Sequence, residues 1–122
     1  MAGDAESPAF VRLSRLAEAD LAAILTNSAE RWGSEARQRY AALLGAALRL
    51  VAADPQGPLT RARNDLRPGI RSLHIRGARG QGPVPTVKRP AHVVYYRLIA
   101  PDVVEIARVL HERMEPGFHI DL

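Results

Sequence analysis

The stretch that decides the fold runs from His92 to Met114: His92-Val-Val-Tyr-Tyr-Arg-Leu-Ile-Ala-Pro-Asp-Val-Val-Glu-Ile-Ala-Arg-Val-Leu-His-Glu-Arg-Met114. Two apolar runs rich in Val, Ile and Tyr, 92–99 and 103–110, flank Ala100-Pro-Asp102. A connection that short between strand-like runs predicts an antiparallel β-hairpin. Pairing Ile99 with Val103 fixes the register. Arg97 then faces Glu105, a cross-strand ion pair worth a few tenths of a kcal/mol up to ~1. The same register sets Arg108 opposite Val94, and His92 opposite Leu110 beside His111. Val94, Tyr96, Leu98, Val104, Ile106 and Leu110 share one face with Arg108, the face expected to pack on helices. Tyr96 is therefore expected inside and Tyr95 outside, exposed for binding.

Working toward the N-terminus, Ile70-Arg-Ser-Leu-His-Ile-Arg76 alternates in the same way and predicts a third strand of a meander. Before it the period becomes helical. Ser14 is a good N-cap for a helix carrying Leu21, Ile24, Leu25, Ser28 and Trp32 at helical spacing, with Glu18 and Asp20 toward the positive end of its dipole. Gly33 suits the C′ position and Ser34 can cap a second helix. That helix carries Tyr40, Leu43, Leu44, Ala47, Leu48 and Val51 on one side and must stop before Pro55. Gly45 and many alanines thin its face and allow close approach. Trp32 is expected to serve as core or helix-end packing. Ala9-Phe-Val-Arg-Leu13 adds a short N-terminal strand.

The expected fold is α+β: an N-terminal strand, then an antiparallel two-helix hairpin packed on a mainly antiparallel β-sheet, in the order β-α-α-β-β-β. The chain has 122 residues and 47% hydrophobic content, enough for one modest core, so residues 1–122 are read as a single domain. Residues 1–8 are expected to be flexible. Gly77-Ala-Arg-Gly-Gln-Gly-Pro-Val-Pro-Thr-Val-Lys-Arg-Pro90 cannot be helix or central strand, so 77–90 is expected to be a flexible basic insertion between strands. Its glycines are no nucleotide fingerprint, because no helix follows to receive a phosphate.

Composition removes several function classes. There is no cysteine, so neither disulfides nor thiolate metal sites are available. The histidines (His74, His92, His111, His119) lack metal-ligand spacing, so no metal is expected, and no cofactor motif is present. No apolar run approaches the roughly 18 residues of a membrane span. The opening MAGDAESPAF has no basic n-region, which makes a cytoplasmic protein without membrane association the expectation. Charge is uneven along the chain. Residues 61–90 hold eight basic side chains against Asp65 alone, while the whole chain is only +4. That segment could attract phosphates or an acidic protein partner, or simply be a solvated basic loop.

One constellation invites a catalytic reading. His92 and His111, with Arg71 or Arg97 nearby, could serve as base, acid and phosphate clamp of a metal-free ribonuclease. Structural or binding roles for strand-end histidines are the favoured reading.

The assembled pattern resembles a family. Asp20-Leu21-x-x-Ile24, Trp32-Gly33, Pro55-x-Gly57 and Leu66-Arg-Pro-Gly-Ile-Arg-Ser72 are followed by His92-Val-Val-Tyr-Tyr-Arg97 and Val104-Glu-Ile-Ala-Arg-Val-Leu-His-Glu-Arg-Met114. In this order and spacing, across about residues 9 to 115, they resemble a ParE toxin of the RelE/ParE superfamily, the toxin half of bacterial type II toxin–antitoxin modules. The resemblance implies a growth inhibitor that poisons DNA gyrase by binding and is not an enzyme. It also implies a ParD-like antitoxin, which lays a helix and an extended tail over the toxin in a hetero-oligomer. Direct nucleic-acid binding is not expected. Candidate contacts with target or antitoxin are Arg67, Arg71, Tyr95, Arg108, His111, Arg113 and Met114. The alternatives are a ribosome-dependent mRNA endoribonuclease of the RelE kind, using His92, His111, Arg71 and Arg97, and an inactive antitoxin-binding member. Lysine-assisted cleavage is disfavoured, because the only lysine, Lys88, sits in the 77–90 connection. Two features depart from the family pattern: that connection is long, and Glu115 follows Met114 where the family tends to place Asp.

Overall fold

A computed structural model describes residues 7–80 and 87–120. The elements follow as β1 (Phe10–Leu13), α1 (Arg15–Trp32), α2 (Ser34–Ala53), β2 (Arg61–Ala62), β3 (Arg71–His74), β4 (His92–Ala100) and β5 (Val103–His111). Short 3-10 turns occupy Ile75–Ala78 and Pro116–Phe118. The strands form one sheet in the order β1-β5-β4-β3-β2, with β1 parallel to β5 and every other pair antiparallel. The expected β-α-α-β-β-β order is present, with β2 added at the edge. Two residues are too short for periodicity to reveal.

Local chemistry sets the helix boundaries. The Ser14 hydroxyl accepts the Ala17 N–H at 3.0 Å and donates to the Ala107 carbonyl at 2.7 Å, so one side chain caps α1 and fastens its start to β5. Gly33, at φ 93°, ends α1 and admits α2 immediately. Ser34 does not act as the expected cap. Gly33 fills that position, Ser34 is the first helical residue, and the cap makes no side-chain hydrogen bond. α2 stops at Ala53, two residues before Pro55.

The main core lies between the helical hairpin and one face of the sheet. Leu43, Leu44, Ala46, Ala47 and Val51 of α2, with Ala17 of α1, meet Leu73, Ile75, Val94, Tyr96, Val104, Ile106 and Val109. The alanines let α2 approach closely, and truncating a buried Leu such as Leu43 would cost ~2–5 kcal/mol. Tyr96 carries its hydroxyl to the Pro55 carbonyl, which satisfies the one polar atom of a fully buried ring.

The hairpin register holds in part. Leu98 pairs with Val104, Arg97 with Glu105 and Tyr96 with Ile106, as expected, but Val103 pairs with Ala100 instead of Ile99, because the ladder is irregular between Leu98 and Ala100 at the turn. Beyond Tyr96 a β-bulge leaves Ala107 unpaired and shifts the register, so Tyr95 faces Arg108 and His92 faces His111 directly. The extra residue also reverses which side chains point inward. Val109 joins the helix-side core, while Leu110 passes to the opposite face. Leu98 and Ile99 are 41% and 37% exposed at the turn end of the hairpin, which corrects the expectation of Leu98 in the core.

Tyr95 also corrects the reading. It is 5% exposed, because Ile70, Leu110 and Ile120, with Leu66 and Val93, form a second small core over the outer face of the sheet. The 63–70 loop and the C-terminal segment cover a face that alternation alone would leave to solvent. Trp32 is the opposite case: 71% exposed, it projects from the end of α1 instead of packing there. The alternating run 70–76 ends as strand at His74, where the His74 Nδ1 accepts the Arg76 N–H at 3.1 Å and the chain turns. Of the two segments expected to be flexible, residues 1–6 and 81–86 lie outside the described residues. Ala78, within the other, is buried.

Candidate functional site

β1 ends at Leu13, level with Ile106, so the edge of β5 beyond that point needs other partners. Asp20 supplies them. Its carboxylate accepts the Val109 N–H at 2.9 Å and takes Nε and Nη2 of Arg108 at 2.8 Å each. Arg108 Nη1 in turn donates to the His119 carbonyl at 2.8 Å. The bidentate bond to Asp20 raises the Arg108 pKa, burial opposing it. Arg108 therefore joins α1, β5 and the C-terminal segment, and its donors are turned inward. The sequence reading treated Asp20 as a helix-dipole acid and missed this role. An acid one position before Leu21, on the inward-turning side of α1, was the available signal.

On the outer face of the sheet lies a groove of about 740 Å³ lined by Pro58, Leu59, Arg61, Arg63, Ser72, His74, Arg76, Gly77, Val93, Tyr95, Glu112 and Arg113. Arg63 pairs with Asp65 at 3.0 Å and sits over the Tyr95 ring at 5.8 Å. The Arg63 hydrogen bond holds the Asp65 carboxyl below its usual pKa. His74 Nε2 meets Glu112 Oε1 at 2.7 Å, and that bond lowers the Glu112 pKa. Because His74 Nδ1 is an acceptor, Nε2 carries the proton and donates.

A second groove, about 970 Å³, opens on the helix side where α1, α2 and the ends of β4 and β5 meet. Its lining includes Ile24, Arg31, Trp32, Arg39, Tyr40, Val87, Lys88, Arg89, His92 and His111. Tyr40 and His92 pack edge to face at 5.5 Å, as do His92 and His111 at 5.4 Å. The Tyr40 hydroxyl accepts the Ala91 N–H at 3.0 Å and lies 2.5 Å from His92 Nδ1. Burial, followed by the charges of His111 and His74, depresses the His92 pKa from 6.5 to about 4. His92 is thus a neutral imidazole near pH 7.

The residues of the nuclease alternative do not converge. His92 and His111 touch, as expected, but Arg71 pairs in register with Tyr96 and donates to Thr60 at 2.8 Å. Arg97 donates to Glu105 at 3.1 Å, toward the turn end of the hairpin. Glu105 also takes Arg12 at 3.2 Å. Of the binding candidates, Arg113 lines the outer groove and His111 the helix-side groove. Met114, 38% exposed, follows β5, and Arg67 is exposed in the 63–70 loop. Arg71, Tyr95 and Arg108 are engaged within the fold. Arg61, Arg63 and Arg76 were visible only as charge, and Trp32 and Tyr40 only as helix packing, yet the fold carries all five into the grooves. Among the described residues no group of three His, Cys, Asp or Glu could hold a metal, and no helix is long and apolar enough to cross a membrane.

A helical hairpin on a small mixed sheet, with a cationic groove on each face, defines a small α+β protein. A chain of a solved structure described as "Chromosomal ParDE TA system from P. aeruginosa" shares this fold, with a TM-score of 0.61 at 20% identity, covering 86% of this chain and 97% of that one. The family model described as ParE toxin of type II toxin-antitoxin system, parDE, matches residues 11–116, and the chain belongs to that family. It is 38% identical over 109 residues to Toxin ParE1 of Caulobacter vibrioides, covering 89% of this chain and 95% of that protein. It is 30% identical over 103 residues to Toxin ParE1 of Mycobacterium tuberculosis, covering 84% and 89%.

Proposed function

We propose that this toxin arrests growth by binding and inhibiting DNA gyrase without cleaving RNA, and that a ParD-like antitoxin neutralises it in a hetero-oligomer. Family membership carries the reading. It is supported by two grooves fitted for protein contact, each combining apolar floor with arginine rim. The endoribonuclease alternative needs His92, His111, Arg71 and Arg97 around one phosphate, and both arginines are committed elsewhere. Arg67, His111, Arg113 and Met114 remain the contact candidates with accessible surface, joined by Arg61 and Arg76. The test is a pair of assays on the purified toxin: supercoiling by gyrase and cleavage of ribosome-bound messenger. Inhibited supercoiling with intact messenger is the expected result. Messenger cleavage that disappears in His111→Ala, with antitoxin binding retained, would establish the nuclease instead. Activity in neither assay would mark an inactive antitoxin-binding member.

A further inference from the structure

Three of the four histidines, His74, His92 and His111, share one hydrogen-bonding pattern. His74 and His111 each accept, at Nδ1, the N–H of the residue two positions on, Arg76 and Arg113, both at 3.1 Å. His92 Nδ1 faces the Tyr40 hydroxyl, whose oxygen already accepts the Ala91 N–H, so the phenolic proton goes to the imidazole. All three rings therefore carry their proton on Nε2. At His74 that N–H meets the Glu112 carboxylate at 2.7 Å. At His92 and His111 no carboxylate is hydrogen-bonded among the described residues, although the Glu112 charge reaches both rings and that of Asp20 reaches His92. Neither Nε2 is sealed in the interior either, since the one buried side-chain nitrogen or oxygen lacking a partner among the described residues is Arg71 Nε. Both rings line the helix-side groove, and none of the described residues lining it is acidic, while Arg31, Arg39, Lys88 and Arg89 all do.

We propose that the paired Nε2–H groups of His92 and His111 form a carboxylate-binding subsite. There a glutamate or aspartate of the antitoxin docks, as Glu112 docks on His74 across the sheet. The proposal rests on the antitoxin reading above. Its occupant follows from charge and shape: preset N–H donors suit a carboxylate, the four rim cations attract an acidic segment, and Ile24, Trp32 and Val87 offer apolar contact to that segment's other face. A nucleic-acid strand would find fewer uses for the apolar floor. Tyr40 is the positioning residue, because its hydroxyl bond to Nδ1 fixes the His92 tautomer.

The experiment is calorimetric titration of the toxin with the ParD-type protein encoded beside its gene, repeated in rising salt. His111→Phe keeps the ring contact with His92 and removes the donor; a loss of 10-fold or more in affinity is expected. Arg39→Glu, on the exposed rim, should weaken binding comparably and flatten the salt dependence. Arg76→Glu, in the other groove, should change affinity by less than 3-fold. Intact folding is checked by identical thermal unfolding of Arg39→Glu and wild type. A wild-type complex indifferent to His111→Phe and Arg39→Glu overturns the proposal alone. Absence of any wild-type complex overturns the antitoxin reading and the proposal with it. Competition by a short single-stranded DNA, at concentrations that displace the antitoxin from wild type but not from Arg39→Glu, would reassign the groove to nucleic acid.

Discussion

On the outer face of the sheet, His74 is held at both nitrogens: Nδ1 by the Arg76 amide and Nε2 by Glu112. On the helix side, His92 and His111 are held, among the described residues, at Nδ1 alone, by Tyr40 and the Arg113 amide. The outer face also carries its own cover, the cluster of Ile70, Tyr95, Leu110 and Ile120. The helix-side groove instead leaves Trp32 71% exposed beside unpaired donors. The chain itself covers part of the outer face, beside the groove that holds Arg61, Arg63 and Arg113, whereas no described residue completes the Nε2 groups of His92 and His111 on the helix side.

The largest effect is expected from breaking the outer cover. Asp20→Ala leaves Arg108 without its bidentate partner and exposes the Val109 amide, while loosening the His119 carbonyl contact that brings Ile120 over Tyr95. Removing one partner of a largely desolvated pair should cost about 2–3 kcal/mol, below the fully buried value because both side chains keep some exposure. Urea unfolding measures it, and Tyr95 fluorescence should report the uncovering.

A smaller effect concerns the helix-side face and acid. The His92 pKa is lower folded, about 4, than its ordinary 6.5. Between those values the unfolded chain binds more protons, so stability is complete above pH 6.5 and declines as pH falls toward 4. The decline should be on the order of 1–2 kcal/mol, allowing for solvent screening of a partly exposed ring. His92→Phe should flatten that part of the stability–pH curve, and unchanged steepness would place the titration elsewhere.

Much of the fold was legible because single residues mark its boundaries. Ser14, Gly33 and Pro55 punctuate the helices, and Ala100-Pro-Asp102 forces the hairpin. Arg97 opposite Glu105 follows from counting back from that turn. The count fails at Ala107, because a bulge is set by packing on both faces of the sheet and leaves no local mark in an apolar run. That one residue moved Leu110 to the outer face, and with it the expectation that Tyr95 is free for binding. The candidate site was legible only in outline. His92 beside His111 was anticipated, but their partner is Tyr40 from α2, brought there by tertiary packing, and neither Arg71 nor Arg97 joins them. Arg61, Arg63, Arg76 and Arg113 could be seen as charge, yet only the sheet brings them to one groove.

The contrast between the two faces can be measured on the free toxin by long-range proton–nitrogen NMR of the imidazoles. His74, His92 and His111 are all expected as the Nε2–H tautomer in their uncharged form, with the His74 proton slow to exchange and those of His92 and His111 fast. Tyr40→Phe should release His92 alone into a mixture of tautomers. A wild-type His92 or His111 carrying its proton on Nδ1, or protected from exchange as His74 is, would contradict the claim that the helix-side face is left open.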